Sequence, residues 1–174
     1  PKKSPRILDV GCGTGVLIKN IYRRNKNFRL TGLDFSQNML DHTVLDDNDL
    51  QNCKLVKGDA FNLPFRDQSF DAVISSRFIH QYDRKSKINL MREMRRVIKP
   101  GGVLVVEFYS ILPRLLRYPM HIFSSSPSEY FKHCLIPKDL DSYFPDNYGR
   151  VNLILPFPHF LVKCFGIKKF KKLT

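Results

Sequence analysis

The stretch that decides the fold is Leu8-Asp-Val-Gly-Cys-Gly-Thr-Gly15. The apolar run Arg6-Ile-Leu-Asp-Val10 leads into it and stops at the first glycine, which is typical of a short buried strand. Over residues 16–22, apolar side chains then recur at helical spacing. Glycines at such a strand-to-helix turn adopt positive φ and let a ligand approach the backbone closely, and the helix N-terminus favours an anionic group. The stretch therefore predicts a ligand-binding turn in an α/β fold.

The alternation of strand and helix continues to residue 108. Further apolar runs predict strands at 28–33, 54–57, 70–74 and 103–108, and Thr14, Ser36 and Asp83 are placed to cap helices. Strands that alternate with helices imply right-handed crossovers and a doubly wound, mostly parallel sheet with helices on both faces. Beyond Ser110 prolines interrupt the pattern. There we expect an irregular, truncated part with a strand at 151–155 and a short basic amphipathic helix over 157–172.

Length and composition set the class of protein. The 174 residues have the length of one domain, and 43% apolar residues exclude a disordered chain. No run reaches the roughly 18 apolar residues that a membrane span needs, and the N-terminus does not read as a signal peptide. The four cysteines form no Cys-x-x-Cys pair, which is typical of a reduced intracellular chain. We expect a cytoplasmic protein and, because the first residue is not Met, a fragment of a longer one.

Acidic residues follow or end three successive predicted strands, at Asp9, Asp34 and Asp59. In open α/β sheets ligands bind at the carboxyl ends of the strands, and a carboxylate after the second strand can accept hydrogen bonds from both hydroxyls of a ribose. Asp59, with the backbone N–H of Ala60, can read the edge of an adenine. The glycine spacing is Gly-x-Gly-x-Gly rather than that of a dinucleotide site. An acidic rim repels a pyrophosphate but suits a cationic nucleoside.

Six motifs in order carry a family resemblance. They are Leu8-Asp-Val-Gly-Cys-Gly-Thr-Gly15, Gly32-Leu-Asp-Phe-Ser36, Gly58-Asp-Ala60, Leu63-Pro-Phe65, Ser69-Phe-Asp71 and Lys99-Pro-Gly-Gly102. Together they resemble class I S-adenosylmethionine-dependent methyltransferases, within the methyltransferase type 11 subgroup that includes ubiquinone and menaquinone methyltransferases. The resemblance covers about residues 5–110. It implies a Rossmann-like core at 1–110 that binds S-adenosyl-L-methionine, and a C-terminal, acceptor-side segment of the same domain at 111–174.

The resemblance also implies a role for individual residues. The glycine turn cradles the methionine part of the cofactor, the acid after strand two holds the ribose and the acid after strand three contacts adenine. Aromatic and methionine side chains flank the adenosine, and the residue just past strand four touches the methionine end through its backbone. The cofactor residues implied in this way are Asp9, Gly11, Gly13, Gly15, Asp34, Phe35, Met39, Asp59, Ala60, Phe61 and Ser75.

Methyl transfer by such an enzyme requires few catalytic side chains. The sulfonium already activates the methyl group, so transfer needs mainly an aligned acceptor, and a base only where the acceptor loses a proton. His80 is the leading candidate base because imidazole titrates near neutrality, with a packing role as the alternative. Tyr82, Tyr109 and His121 are weaker candidates, and Arg77 is placed to bind an anionic acceptor or to face solvent. No metal site is expected.

The net charge of +13 needs a separate explanation. The excess lies on the predicted helix after Asp83 and between Asn147 and Thr174, away from the acidic rim. Contact with RNA phosphates, contact with an anionic membrane surface, and solubilisation alone remain open. The sequence predicts a methyltransferase with a small-molecule or lipid-like acceptor. A tRNA or other RNA methyltransferase and a catalytically inactive cofactor-binding partner subunit are the alternatives.

Overall fold

The computed structural model describes residues 4–46, 48–109, 152–154 and 163–169. The strands are β1 (Arg6–Val10), β2 (Arg29–Asp34), β3 (Cys53–Lys57), β4 (Phe70–Ser75), β5 (Ile98–Tyr109), β6 (Asn152–Ile154) and β7 (Lys163–Lys169). The helices are α1 (Val16–Arg24), α2 (Gln37–Asp41) and α3 (Arg84–Val97), with 3₁₀ turns at Asp49–Gln51 and Ile79–Gln81.

The strands form one sheet in the order β3-β2-β1-β4-β5-β7-β6. The first five are parallel, and β7 runs antiparallel to both β5 and β6. The strand order reverses beside β1, which has β2 on one side and β4 on the other, and such a switch point is where open α/β sheets bind ligands. The predicted doubly wound, mostly parallel sheet is confirmed.

Apolar side chains cover both faces of the sheet. Along β1, Leu8 and Val10 belong to the cluster that α3 completes with Leu90 and Met94. Ile7 points to the other face, where it packs with the cluster around Ile18 of α1, because successive strand residues alternate between faces. Two of the three predicted caps are confirmed, whereas Thr14 does not cap α1, whose N-cap is Gly15 with no side-chain hydrogen bond. The side chain of Ser36 accepts a hydrogen bond from Met39 N at 3.3 Å, and that of Asp83 accepts one from Ser86 N at 2.8 Å.

The fifth strand starts earlier than predicted. The sequence predicts it at 103–108, but β5 follows α3 directly and begins at Ile98. Its pairing with β4 starts at Phe70↔Ile98 and resumes at Ala72↔Val103, so the intervening residues form an irregularity inside the strand. Gly101, with φ of +79°, lies in that irregularity, as expected of a bulge in a strand.

The expected basic helix over 157–172 was wrong for its central part. Residues Lys163–Lys169 form β7, which pairs with β5 from Tyr109↔Lys163 to Val103↔Lys169. Gly166 lies in the middle of this segment and disfavours a helix, whereas β5 offers an unpaired edge. The strand expected at 151–155 is present as β6. Of the expected acceptor-side segment 111–174, only residues 152–154 and 163–169 are described, and His121 lies outside the described residues.

Among the described residues, no helix has both the length and the apolar composition to cross a membrane. The exposed basic residues of α3 are Arg84, Lys85, Arg92 and Arg95, whereas Lys87 of the same helix is 1% exposed. Asp9, Asp34 and Asp59 lie elsewhere, at the carboxyl ends of β1, β2 and β3. Within the described residues, the basic side chains of α3 and the acidic carboxyl edge of the sheet therefore lie in different places.

Candidate cofactor site

The turn between β1 and α1 has the backbone that the glycines predict. Gly11, Gly13 and Gly15 have φ of +75°, +56° and +82°. A Cβ on Gly11 would lie 2.4 Å from the ring of Phe78, so a side chain has no room there. A Cβ on Gly13 would meet nothing within 4 Å. The turn is therefore closed on the side of Phe78 and open at Gly13, where a ligand can approach the main chain.

Asp34 is fixed at the end of β2 by two backbone donors. Its Oδ2 accepts a hydrogen bond from Gly13 N at 2.8 Å, and its Oδ1 accepts one from Ser36 N at 2.9 Å. Each carboxylate oxygen has a second acceptor position beyond the bond that it already takes. The side chain is thus held in one orientation and presents two neighbouring oxygens, which is the arrangement that a vicinal diol requires.

The end of β3 is tied to the same edge. Gly58 N donates to Asp34 O at 3.0 Å, and the Oδ1 of Asp59 accepts from Phe61 N at 2.8 Å. Ala60 between them is buried, at 6% exposure. These bonds place the Asp59 carboxylate and the backbone after it next to Asp34, as the sequence predicts.

A cavity of about 290 Å³ lies along the ends of β1, β2 and β3. Its lining residues are Gly11, Leu33, Asp34, Phe35, Gly58, Asp59, Ala60, Phe61, Phe78 and Tyr82. Tyr82 joins the rings of Phe61 and Phe78 edge to face, at centroid distances of 5.3 and 5.2 Å. Phe35 is 76% exposed at the same cavity, which leaves a large apolar ring available to a flat ligand.

Several predicted cofactor residues do not line this cavity. Asp9 and Ser75 are buried beneath it, and the hydroxyl of Ser75 donates to Val10 O at 3.0 Å. Met39 is 47% exposed on α2, and Gly13 and Gly15 shape the turn without contributing to the cavity wall. The candidate base His80 lies in the 3₁₀ turn Ile79–Gln81, with its Nδ1 shielded from solvent. Arg77 before it is exposed and has a positive φ of 55°.

Burial and like charge act together on the acidic edge. Burial, and then the carboxylate of Asp34, raise the pKa of Asp9 to about 7. The pKa of Tyr82 is raised by burial and by Asp59 and Asp34. Burial, followed by Asp9 and Asp34, also raises the pKa of the Cys12 thiol, which keeps that thiol protonated and unsuited to nucleophilic chemistry. This edge favours a cationic ligand.

Two features of the site were missed from the sequence. Phe78 forms the wall against Gly11, although nothing in its local pattern separates it from an ordinary apolar residue. Glu107, at 1% exposure, accepts a hydrogen bond from the hydroxyl of Ser76 at the ends of β5 and β4. The sequence signal that could have identified Glu107 is its position as a single acidic residue in the apolar run Val103–Phe108.

The sheet order, the glycine turn and the acidic carboxyl edge define a class I S-adenosylmethionine-dependent methyltransferase fold. Residues 7–102 match the model of the family described as methyltransferase domain. The chain belongs to this methyltransferase-domain family.

Known proteins share this region with the chain. The demethylmenaquinone methyltransferase of Staphylococcus epidermidis is 40% identical over 111 residues, which are 60% of this chain and 43% of the relative. The chain thus spans less than half the length of the curated relatives that it matches.

Two solved structures illustrate the structural likeness. The cyclase SpnF is 31% identical with a TM-score of 0.55, over 60% of this chain and 38% of its own. An S-adenosylmethionine-dependent methyltransferase from Methanosarcina mazei has a TM-score of 0.70 at 17% identity, over 99% of this chain and 95% of its own. The second likeness concerns the fold alone.

Proposed function

We propose that the chain carries the cofactor-binding core of an enzyme that transfers a methyl group from S-adenosyl-L-methionine to a small-molecule or lipid-like acceptor. The observation that carries the proposal is the Asp34 carboxylate, which is fixed by Gly13 N and Ser36 N and lines the cavity. A carboxylate in this position suits the two hydroxyls of a ribose.

The remaining lining residues fit the other parts of that cofactor. Asp59 and the backbone after it suit the polar edge of an adenine, and Phe35 and Phe61 offer apolar faces on either side. The open approach at Gly13 suits the methionine part. The acidic edge is favourable to a ligand with a sulfonium and an ammonium group, whereas the pyrophosphate of a dinucleotide would meet like charge.

When bound, S-adenosyl-L-methionine supplies a methyl group that is already activated for transfer. The residues of this chain then position the reacting groups and shield them from water. Phe78 and Tyr82 exclude water from the cavity wall next to Gly11. His80 stands after β4, in the turn that lies against β5, and we propose it as the base for acceptors that lose a proton on methylation.

The acceptor is proposed from the relative rather than from the cavity. Demethylmenaquinone is a lipid-like quinone, and the relative named for it is 40% identical over the core. A ring carbon must be electron-rich to accept a methyl cation equivalent, so the reduced, dihydroxy form of such a ring is the form we expect to react. Residues 111–174 are proposed as the acceptor side. We also propose that the enzyme is cytoplasmic. Its basic helix α3 then makes the peripheral contact to lipid or RNA.

Transfer of labelled methyl from the cofactor into fractionated lipid, small-molecule and RNA extracts tests the function. We expect label in the lipid or small-molecule fraction. Label in RNA alone would contradict this proposal and support an RNA methyltransferase instead. No label in any fraction, with cofactor bound, would favour a catalytically inactive cofactor-binding subunit.

A further inference from the structure

The side chains along the cofactor cavity differ in the hydrogen bonds that they can make. Of the described residues that line it, Asp34, Asp59 and Tyr82 carry polar side chains, and the others are glycines or apolar residues. An ionised carboxylate only accepts hydrogen bonds, whereas a phenol hydroxyl also donates one. Among these lining residues, Tyr82 therefore supplies the side-chain donor.

Several backbone donors around the cavity are already engaged within the protein. They belong to the glycine turn and to the segment after β3. The bonds run from Gly11 N and Cys12 N to Leu33 O at 2.8 and 3.0 Å, from Gly13 N to Asp34 at 2.8 Å and from Phe61 N to Asp59 at 2.8 Å. A ligand atom that accepts a hydrogen bond at this edge therefore meets few N–H groups, so a side-chain donor matters to it.

The ring of Tyr82 is held in place by two aromatic neighbours. Its centroid lies 5.3 Å from that of Phe61 at an interplanar angle of 85°, and 5.2 Å from that of Phe78 at 66°. Its backbone N donates to Ile79 O at 3.3 Å. Both phenylalanines line the same cavity, so these contacts fix the phenol at the cavity wall. A side chain that is already ordered loses little further entropy when a ligand binds to it.

The two acids of the cavity act on the Tyr82 phenol. Burial, and then the carboxylates of Asp59 and Asp34, raise the pKa of Tyr82. Because the interaction between charges weakens with distance, this influence indicates that the phenol lies near both acids. The hydroxyl therefore stays protonated at neutral pH and stands close to the ends of both β2 and β3.

This position selects one part of the proposed cofactor. In the proposed function, Asp59 meets the amino edge of adenine and Asp34 meets the ribose. Adenine has acceptor nitrogens at N1, N3 and N7, of which N1 adjoins the amino group and N3 lies on the side of the ribose. A donor that is close to both acids is therefore placed for N3.

We infer that the Tyr82 hydroxyl donates a hydrogen bond to N3 of the adenine, which makes Tyr82 a further cofactor-binding residue. The inference rests on the proposed function. A phenol oxygen also accepts hydrogen bonds, so donation to the ligand leaves room for contacts that the oxygen accepts from the protein. The bond would favour a purine with a nitrogen at this position over an analogue that carries C–H there.

The test compares ligands that differ by one ring atom. We measure binding of S-adenosylhomocysteine, its 3-deaza analogue and its 7-deaza analogue to the 174-residue chain by calorimetry. The wild-type chain is expected to bind the 3-deaza analogue about 5-fold more weakly than the parent, which is the range of a neutral hydrogen bond. Equal affinities for the parent and the 3-deaza analogue overturn the inference, whatever the variants do.

The variants locate the discrimination. Tyr82→Phe removes the hydroxyl but keeps the ring, and it is expected to bring the ratio of parent to 3-deaza affinity to within about twofold of one. The ratio of parent to 7-deaza affinity is expected to stay the same. Tyr22→Phe is the matched control, because Tyr22 is a buried tyrosine of α1 whose hydroxyl accepts a bond from Asn52 at 3.4 Å. It should leave both ratios unchanged.

A preference for the parent over the 3-deaza analogue that survives in folded Tyr82→Phe overturns the inference. So does a change confined to the 7-deaza ratio. Tyr82→Leu, which also lacks the donor, takes the place of Tyr82→Phe if urea melts show that the latter does not fold. Failure of the proposed function is distinct: a wild-type chain that binds no S-adenosylhomocysteine refutes both, whereas failure of the inference alone leaves cofactor binding and methyl transfer intact.

Discussion

Asp34 and Gly13 are joined by a hydrogen bond of 2.8 Å from the glycine N–H to the carboxylate, so the end of β2 and the turn after β1 are one structural unit. Gly11 N and Cys12 N strengthen it by donating to Leu33 O at 2.8 and 3.0 Å. The side chain that we propose as the ribose ligand therefore also holds the loop that we propose as the methionine cradle.

The contact between Gly11 and Phe78 predicts unequal costs for two alanine substitutions. Gly11→Ala combines a positive φ with a Cβ 2.4 Å from the Phe78 ring, whereas Gly13→Ala has positive φ alone. Left-handed backbone costs an alanine roughly 1–2 kcal/mol, and overpacking adds about 1–3 kcal/mol. We expect Gly11→Ala to lower the free energy of unfolding by the larger amount in urea melts.

A double variant isolates the overlap. Phe78→Ala removes the ring atoms at 2.4 Å but keeps the Phe78 Cβ 2.7 Å from the new Cβ, so Gly11→Ala in that background is expected to cost less than in the wild-type chain and more than Gly13→Ala. Additive costs in the Gly11–Phe78 cycle would show that the ring does not close the turn.

The raised pKa of Asp9 predicts a pH-dependent stability. Between the unfolded value of 3.8 and the folded value of about 7, the folded chain binds more protons than the unfolded chain. The contribution of Asp9 to the free energy of unfolding is therefore fully present below pH 3.8 and is lost as the pH rises toward 7. Relative to Asp9→Asn, the wild-type chain is expected to lose about 3 kcal/mol between pH 4.5 and 7.

Urea melts of the two chains at matched pH values measure that difference. Asp71, Asp83 and Glu93 have lowered pKa values and contribute with the opposite sign, but they are common to both chains and cancel. A difference that stays constant with pH would mean that Asp9 remains ionised in the folded chain.

The loop at residues 63–67 is expected to depend on one side chain of α3, that of Arg96. Its guanidinium donates to Phe65 O at 2.8 Å and to Leu63 O at 2.9 Å, and it also bonds Glu93 and Asp67. Arg96→Lys keeps the charge but cannot reach four partners, so we expect a loss of about 2–3 kcal/mol in thermal or urea melts. Arg92→Ala, at an exposed position of the same helix, is the control and should change stability by less than about 0.5 kcal/mol.

The candidate base His80 predicts a loss in turnover rather than in cofactor binding. His80→Ala is expected to lower kcat by about 100-fold or more and to remove the acid limb of the pH–rate profile, while the affinity for S-adenosylhomocysteine stays within about twofold. An unchanged kcat at all pH values would leave His80 with a packing role.

The parts that the sequence predicted are those decided by near neighbours. Ser36 and Asp83 cap their helices because each needs only the backbone three residues away, and the glycine turn follows from three residues that tolerate positive φ. Asp34 was placed correctly because parallel strands bring their carboxyl ends to one edge.

The parts that it did not predict depend on distant partners. β7 pairs with a strand about 60 positions earlier, and the basic pattern of 157–172 gives no sign of that pairing. Phe78 lies against Gly11 and Glu107 against Ser76 only because β1, β4 and β5 are neighbours in the sheet. The local pattern of Phe78 is that of any apolar residue, and the lone charge of Glu107 in an apolar strand marks an exception without naming its partner.

The most direct measurement of the central claim is calorimetric titration of the chain with S-adenosylmethionine, S-adenosylhomocysteine and NAD⁺. We predict binding of both S-adenosyl ligands and none of NAD⁺, a loss of affinity of at least about 10-fold in Asp34→Asn from the loss of charge-assisted hydrogen bonds, and unchanged affinity in Asp41→Asn, an exposed acid on α2. Absence of binding by either S-adenosyl ligand, or equal affinities in the wild-type and Asp34→Asn chains, would contradict the account.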